Sequence, residues 1–278
     1  MSVVLGGCSV YRTYKRPDVA VIDSLYRQQI SPADSVASIA DLSWKELFTD
    51  PQLQKLIERG LRNNSDLGIA RLRVKEAEAL LKSARLSYLP SVNLSPQGTI
   101  SKAEHGKTTK TYDLAASASW EIDIFGKLTN AKREARAVLE QSEAYRQAVQ
   151  TQLIATIANN YYTLLMLDEQ LNISRRTAEN WNENLRVMKA LKRAGQTTDM
   201  AVAQTEAGKL SVDASLLSLE RQITELENTL SSLLGSASGD ITRSTLSGQS
   251  FPDTLLVGVP LQLLQRRPDV RQSEAALA

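Results

Sequence analysis

From Lys127 to Ala194 the chain runs 68 residues without a glycine or a proline. Nothing else limits its possible folds so strongly, because those two residues are the ones that break helices. At 1.5 Å per residue an unbroken helix of that length reaches roughly 100 Å, far beyond the diameter of a globular domain. Leu128, Ala131, Ala135, Val138, Ser142, Tyr145 and Val149 keep a three-four rhythm, and the stripe then drifts through Leu153, Ile157 and Tyr161. The middle, ANNYYTLLML, is apolar on more than one face, as suits a helix wedged between two neighbours rather than a single narrow seam. The sequence Gly195-Gln-Thr-Thr-Asp199 breaks the run, with glycine for a C-cap and Thr198 or Asp199 for the next N-cap. Val212, Leu216, Leu219, Ile223, Leu226, Leu230 and Leu233 then form a second seam, which Gly235 ends. Residues 126–235 therefore read as one long antiparallel helical hairpin with its tip at 194–199.

Ahead of this hairpin the period changes from helical to alternating. In SVNLSPQGTIS, Val92, Leu94, Pro96, Gly98 and Ile100 alternate with polar residues. After the polar loop KAEHGKTTK, the return run sets Tyr112, Leu114, Ala116, Ala118, Trp120, Ile122 and Ile124 on one side. Asp113, Ser117, Ser119, Glu121 and Asp123 take the other side. Residues 91–125 are expected to form two antiparallel strands, joined to the long helix through Gly126. Two-faced strands suit either a half-buried soluble sheet or a barrel with lipid outside and water within. Both runs meet the roughly 9–11 residues a barrel strand needs to cross a bilayer, and Tyr112 and Trp120 are then interfacial anchors. Residues 51–90 read as helices. Asp50-Pro51 offers an N-cap and N1, and Asp66 a second cap. A stripe from Leu67 to Tyr88 follows, ended by Pro90. Residues 9–50 are weakly patterned and read as an extended segment.

Composition excludes more than it suggests. A net charge of +2 without long like-charge runs gives no support for nucleic-acid binding. One Cys and one His are too few for a zinc site, a disulfide framework or a Cys/His catalytic pair. His105 falls in the loop between the strands, with no metal or catalytic role expected. No run approaches 18 apolar residues, so a membrane would have to be crossed by strands. Leu5-Gly6-Gly7-Cys8 matches the pattern of a lipidation signal, so residues 1–8 read as a truncated signal peptide with Cys8 as the lipid attachment site. Residues 61–80 are echoed from Leu264 onward, Asp66 aligning with Asp269 at an offset of 203. Residues 236–260 are then a linker and 261–278 the start of a second repeat.

These features resemble, in order along the chain, the TolC-like outer-membrane efflux proteins, in their NodT and OprM lipoprotein branch. The matching motifs are Cys8, WKELFTDPQLQKLI (44–57), the run from Asn64 to Ala70, WEIDIFGK (120–127), RAGQTTD (193–199), AQTEA (203–207) and LLQRRPDVRQSEAAL (263–277). The resemblance implies an α+β membrane protein. Long helical hairpins form a periplasmic α-barrel, and β-hairpins from three copies form a twelve-stranded outer-membrane barrel. It implies a homotrimer anchored in outer-membrane lipid of a Gram-negative bacterium and reaching into the periplasm. The expected partners are a periplasmic membrane-fusion adaptor and an inner-membrane pump of the resistance-nodulation-division type. The family's tip motif falls on Arg193, Gly195, Thr198 and Asp199, implying adaptor docking there. Tyr112, Leu114, Ala116, Ala118 and Trp120 become the lipid-facing strand.

The function expected is a passive export duct of a tripartite efflux pump, with no enzymatic chemistry, metal or cofactor beyond a covalent lipid on Cys8. A type I secretion duct and, in a different class, a soluble coiled-coil scaffold are the rival readings. No nucleophile-base, phosphate-loop or metal constellation supports an enzyme.

Overall fold

The computed structural model describes Tyr14, 43–102, Glu104, 107–250 and 266–277. Cys8, His105, most of the segment 9–50 and residues 251–265 lie outside the described residues. The elements are α1 (Trp44–Leu47), α2 (Pro51–Asn63), α3 (Ser65–Leu86), β1 (Ser91–Ser101), β2 (Thr109–Ser119), α4 (Lys127–Arg193), α5 (Asp199–Leu233) and α6 (Pro268–Leu277). A 3-10 turn, Leu246–Gly248, lies between the last two helices. The chain divides into two compact units, one centred on Ala70–Arg146 and the other on Tyr26–Ile69 with Gln147–Leu263.

The second unit is helical, and each start within it has a chemical cause. Ser43 and Glu46 close a reciprocal capping box around α1. Asp50 accepts from the Gln52 N–H and Pro51 sits at N1 of α2. At α3 the Asn64 side chain accepts from the Leu67 N–H, and its amide donates to the Leu233 carbonyl. Capping here falls to Asn64 rather than Asp66, because Asn64 can also serve the end of α5. Leu53 and Ile57 of α2 pack with Leu67, with Leu153, Ile157, Tyr161, Leu164 and Leu165 of α4, and with Ile223 and Leu230 of α5. Each fully buried aliphatic side chain stabilises by about 1.5–3 kcal/mol. At about 100° per residue, the buried positions from Leu153 to Leu171 cover about half of the α4 circumference. Such a wide stripe is what a helix with more than one neighbour requires, as the sequence pattern implies.

One buried carboxylate joins three parts of this unit. Asp50 receives hydrogen bonds from the Tyr161 hydroxyl (2.6 Å), the Gln249 amide (2.9 Å) and the Ser244 hydroxyl (3.0 Å), besides the Gln52 N–H. Tyr161 in turn accepts from the Ser244 N–H. Arg243 fixes the same segment by pairing with Asp168 and Glu227.

The other unit carries the strand hairpin. β1 and β2 pair antiparallel from Ser91↔Ser119 to Ser101↔Thr109. Alternation in the sequence continues to Ile124, but β2 stops at Ser119. In this register Trp120 would oppose Pro90, which has no N–H to donate, and Ile124 would oppose Leu86, already the last residue of α3. Trp120, assigned to the lipid-facing strand from sequence, therefore lies one residue past it. The short helix α1 likewise replaces part of the segment expected to be extended.

Candidate functional site

The register brings together the residues that alternation set apart. Val92, Leu94, Pro96 and Gly98 stand opposite Ala118, Ala116, Leu114 and Tyr112. Same-face neighbours in adjacent strands share environment, so these eight make one continuous apolar surface. The reverse face pairs Ser91 with Ser119, Asn93 with Ser117, Ser95 with Ala115, Gln97 with Asp113 and Thr99 with Thr111. Every residue of both strands is exposed, Leu114 by 73% and Tyr112 by 77%. A two-stranded sheet exposing one greasy and one hydrophilic face is marginal by itself in water and requires a further environment on each side.

Where strand gives way to helix, Gly126 adopts φ +77°, a conformation that costs other residues strain. Asp123 reaches forward to accept from the Leu128 N–H (3.0 Å), the Thr129 N–H (2.9 Å) and the Thr129 hydroxyl (2.6 Å). It thereby caps a helix whose first turn contains no acidic residue. Glu121 pairs with Lys127 at 2.7 Å. Tyr88 sits at the centre of this junction. Its hydroxyl donates to Thr129 (3.1 Å), its carbonyl accepts from the Trp120 indole (3.1 Å), and its ring lies 5.8 Å from the Lys132 ammonium.

At the far end of α4, Gly195 (φ +75°) closes a Schellman motif. Its N–H donates to the Lys192 carbonyl and that of Gln196 to the Leu191 carbonyl. Thr198 caps α5 by accepting from the Ala201 N–H, which leaves Asp199 at the first helical position. Asp199 instead pairs with Lys192, and Glu206 lies 3.9 Å from Lys189. An open cleft of about 750 Å³ is lined by these four, Arg193, Val202 and Ala203. The four residues singled out from sequence thus share one small turn. Sequence reasoning missed Lys189, Lys192 and Glu206, whose pairings across the turn, Lys192 with Asp199 seven residues on and Lys189 with Glu206 seventeen residues on, signal cross-helix contact only once the hairpin register is known. Met200, exposed by 80% in the first turn of α5, was also missed. Among the described residues no cluster of His, Cys, Asp and Glu could hold a metal, and no helix is long and apolar enough to cross a membrane.

A family model described as outer membrane efflux protein matches residues 56–236. The chain belongs to the outer membrane efflux protein family. It is 31% identical over 280 residues to the probable outer membrane lipoprotein SilC of Salmonella typhimurium, covering 99% of this chain and 60% of that protein. It is 26% identical to the cation efflux system protein CusC of Escherichia coli K12, covering all of this chain and 61% of that one. Among solved structures, CusC superposes with a TM-score of 0.77 at 26% identity, covering 97% of this chain and 61% of that chain. The open state of the Neisseria gonorrhoeae MtrE outer membrane channel gives 0.77 at 27%, with the same coverage. The chain spans about 60% of the length of these relatives. Its fold is the TolC-like α+β channel fold, its location the outer membrane, and the family's work is transport rather than catalysis.

Proposed function

We propose that the whole protein is the outer-membrane channel of a tripartite efflux pump, a passive duct for small molecules. The observation that carries this reading is the pairing register of β1 and β2, which makes one face of the hairpin apolar from Val92↔Ala118 to Gly98↔Tyr112, with Lys110 only at its loop end, and the other face polar except for Ala115. In a closed barrel the apolar face meets lipid and the polar face meets a water-filled lumen. Two strands have unpaired edges that hydrocarbon does not tolerate, so closure requires further strands from the rest of the protein and from other copies. A homotrimer with twelve strands meets that need. Arg193, Gly195, Thr198 and Asp199 are then the contact with a periplasmic membrane-fusion adaptor. An inner-membrane pump of the resistance-nodulation-division type would supply the energy, and a lipid on Cys8 would add an anchor. Proteins of comparable similarity are named for cations, pyoverdine and toluene, so the cargo is stated only as a small molecule.

Nitroxide labels placed singly in the full-length protein in bilayers test the reading. A label at Leu114 should be accessible to oxygen and shielded from a water-soluble nickel chelate, and one at Asp113 should show the reverse. Water access at Leu114 would sink the proposal.

A further inference from the structure

The apolar face of the hairpin carries a single cation within the paired strands, at the loop end. From Val92↔Ala118 to Gly98↔Tyr112 that face holds no charge, and the next pair on it, Ile100↔Lys110, introduces an ammonium. One further step of the same alternation after Ile100 is Lys102. Lysine is penalised at the centre of a bilayer and tolerated where its stem can follow the strand out to the polar surface. Lys110 therefore marks where hydrocarbon ends along this face.

The charge there is positive. Within the hairpin 91–119 the charged residues are Lys102, Glu104, Lys107, Lys110 and Asp113, with His105 neutral. Asp113 stands opposite Gln97 on the reverse face, which leaves Glu104 as the one acid beside three lysines. All three lysines are exposed and make no ion pair among the described residues. Pairing does not explain Lys110 either, because its cross-strand partner Ile100 is apolar and offers its side chain no acceptor. A cationic rim thus continues directly from a surface suited to acyl chains.

Direction decides which amphiphile fits. α3 leads into β1 and α4 follows β2, so the helices leave the hairpin at the end opposite these lysines. On the channel reading, on which this inference rests, the helices extend into the periplasm and the loop end meets the outer leaflet. The outer leaflet of a Gram-negative bacterium is built of lipopolysaccharide, whose lipid A joins several acyl chains to a phosphorylated diglucosamine. Chains adjoining phosphates match an apolar face adjoining ammonium groups. We infer that Lys102 and Lys110 bind a phosphate of lipid A at the outer rim of the hairpin, with its acyl chains along Ile100 and Tyr112. Lys107 adds to the positive potential that draws the phosphate in.

The test uses the full-length protein in phosphatidylcholine bilayers carrying bisphosphorylated lipid A, dephosphorylated lipid A or phosphatidylglycerol. Lipid retained after detergent extraction is measured by mass spectrometry. Wild type should retain bisphosphorylated lipid A and hold the dephosphorylated form no better than phosphatidylcholine. Lys102→Gln and Lys110→Gln should each lower retention roughly fivefold, the contribution of one cation near an anionic surface, and Lys102→Arg with Lys110→Arg should preserve it. A nitroxide at Ile100 should sit shallower in the bilayer than one at Leu114. Both lysines are exposed, and an unchanged circular dichroism spectrum confirms that the variants fold. Unchanged retention in the double glutamine variant overturns the inference, as does equal retention of dephosphorylated lipid A or an Ile100 label as deep as Leu114. Phosphatidylglycerol retained as strongly as lipid A also overturns it, by showing a rim that takes any anionic lipid. Any of these results with the Leu114 label in hydrocarbon removes the lipid A site alone; a Leu114 label in water removes the channel reading itself.

Discussion

Asp50 meets four donors, two on each carboxylate oxygen, while almost fully shielded from solvent. Burial pushes its pKa up, but the hydrogen bonds from Tyr161, Gln249, Gln52 and Ser244 outweigh burial and hold it below the usual carboxylate value. Burial, followed by the bond to Asp50, raises the Tyr161 phenol, so the hydroxyl stays protonated and keeps donating. Asp50→Asn turns one acceptor atom into a donor that faces two donors, a cost of about 2–3 kcal/mol. Because the folded-state pKa is depressed, the charge stabilises above the unfolded value near 4 and loses that contribution as pH falls through the folded value. Urea unfolding of wild type and Asp50→Asn should therefore show a constant gap from neutral pH down to about 5, closing below about 4. Gly235 makes a comparable demand by shape. It has φ +60°, and a Cβ there would stand 2.7 Å from the Asn63 carbonyl oxygen. Gly235→Ala combines backbone strain with a contact to another backbone, and about 2–4 kcal/mol should be lost in a denaturant titration.

The elements show which information local sequence carries. α4 could be read almost to the residue, because absence of Gly and Pro, a helical stripe and a terminal glycine are all local signals. Its breadth of burial was legible too, from ANNYYTLLML. The end of β2 was not, since alternation through Ile124 is local while a ladder depends on the partner strand, and that partner runs out at Ser91. Asn64 and Asp66 are equally good caps by residue type, and only contact with the end of α5 separates them. The tip residues were found through motif order, but Lys189 and Lys192 gain partners only when the hairpin folds. Asp123 looked like one more polar residue of a strand and proves to be the cap of α4. Its replacement by Ala should fray that end alone. Hydrogen exchange at Leu128 and Thr129 should quicken by roughly an order of magnitude, with Ile157 unchanged. Equal loosening at Ile157 would show that the cap supports the whole helix instead.

For the whole molecule, the decisive quantity is the difference between the two sides of one thin sheet. Leu114 and Ser117 lie three residues apart on β2, opposite Pro96 and Asn93, and point to opposite faces. Neither is buried within the chain, so a long cationic side chain at either position clashes with nothing inside the protomer. Any difference between them must come from what surrounds the sheet. Arginine on the lipid face of a barrel costs about 2–4 kcal/mol near the bilayer midplane and has little effect on the lumen side. That cost recurs in every copy that contributes the hairpin, so three copies would multiply it. Leu114→Arg in the full-length protein should sharply reduce the amount recovered in the outer-membrane fraction. Ser117→Arg should assemble normally and change only the passage of charged solutes. Equal recovery of the two variants would mean that both faces see water, and a soluble scaffold would then explain the hairpin better than a pore.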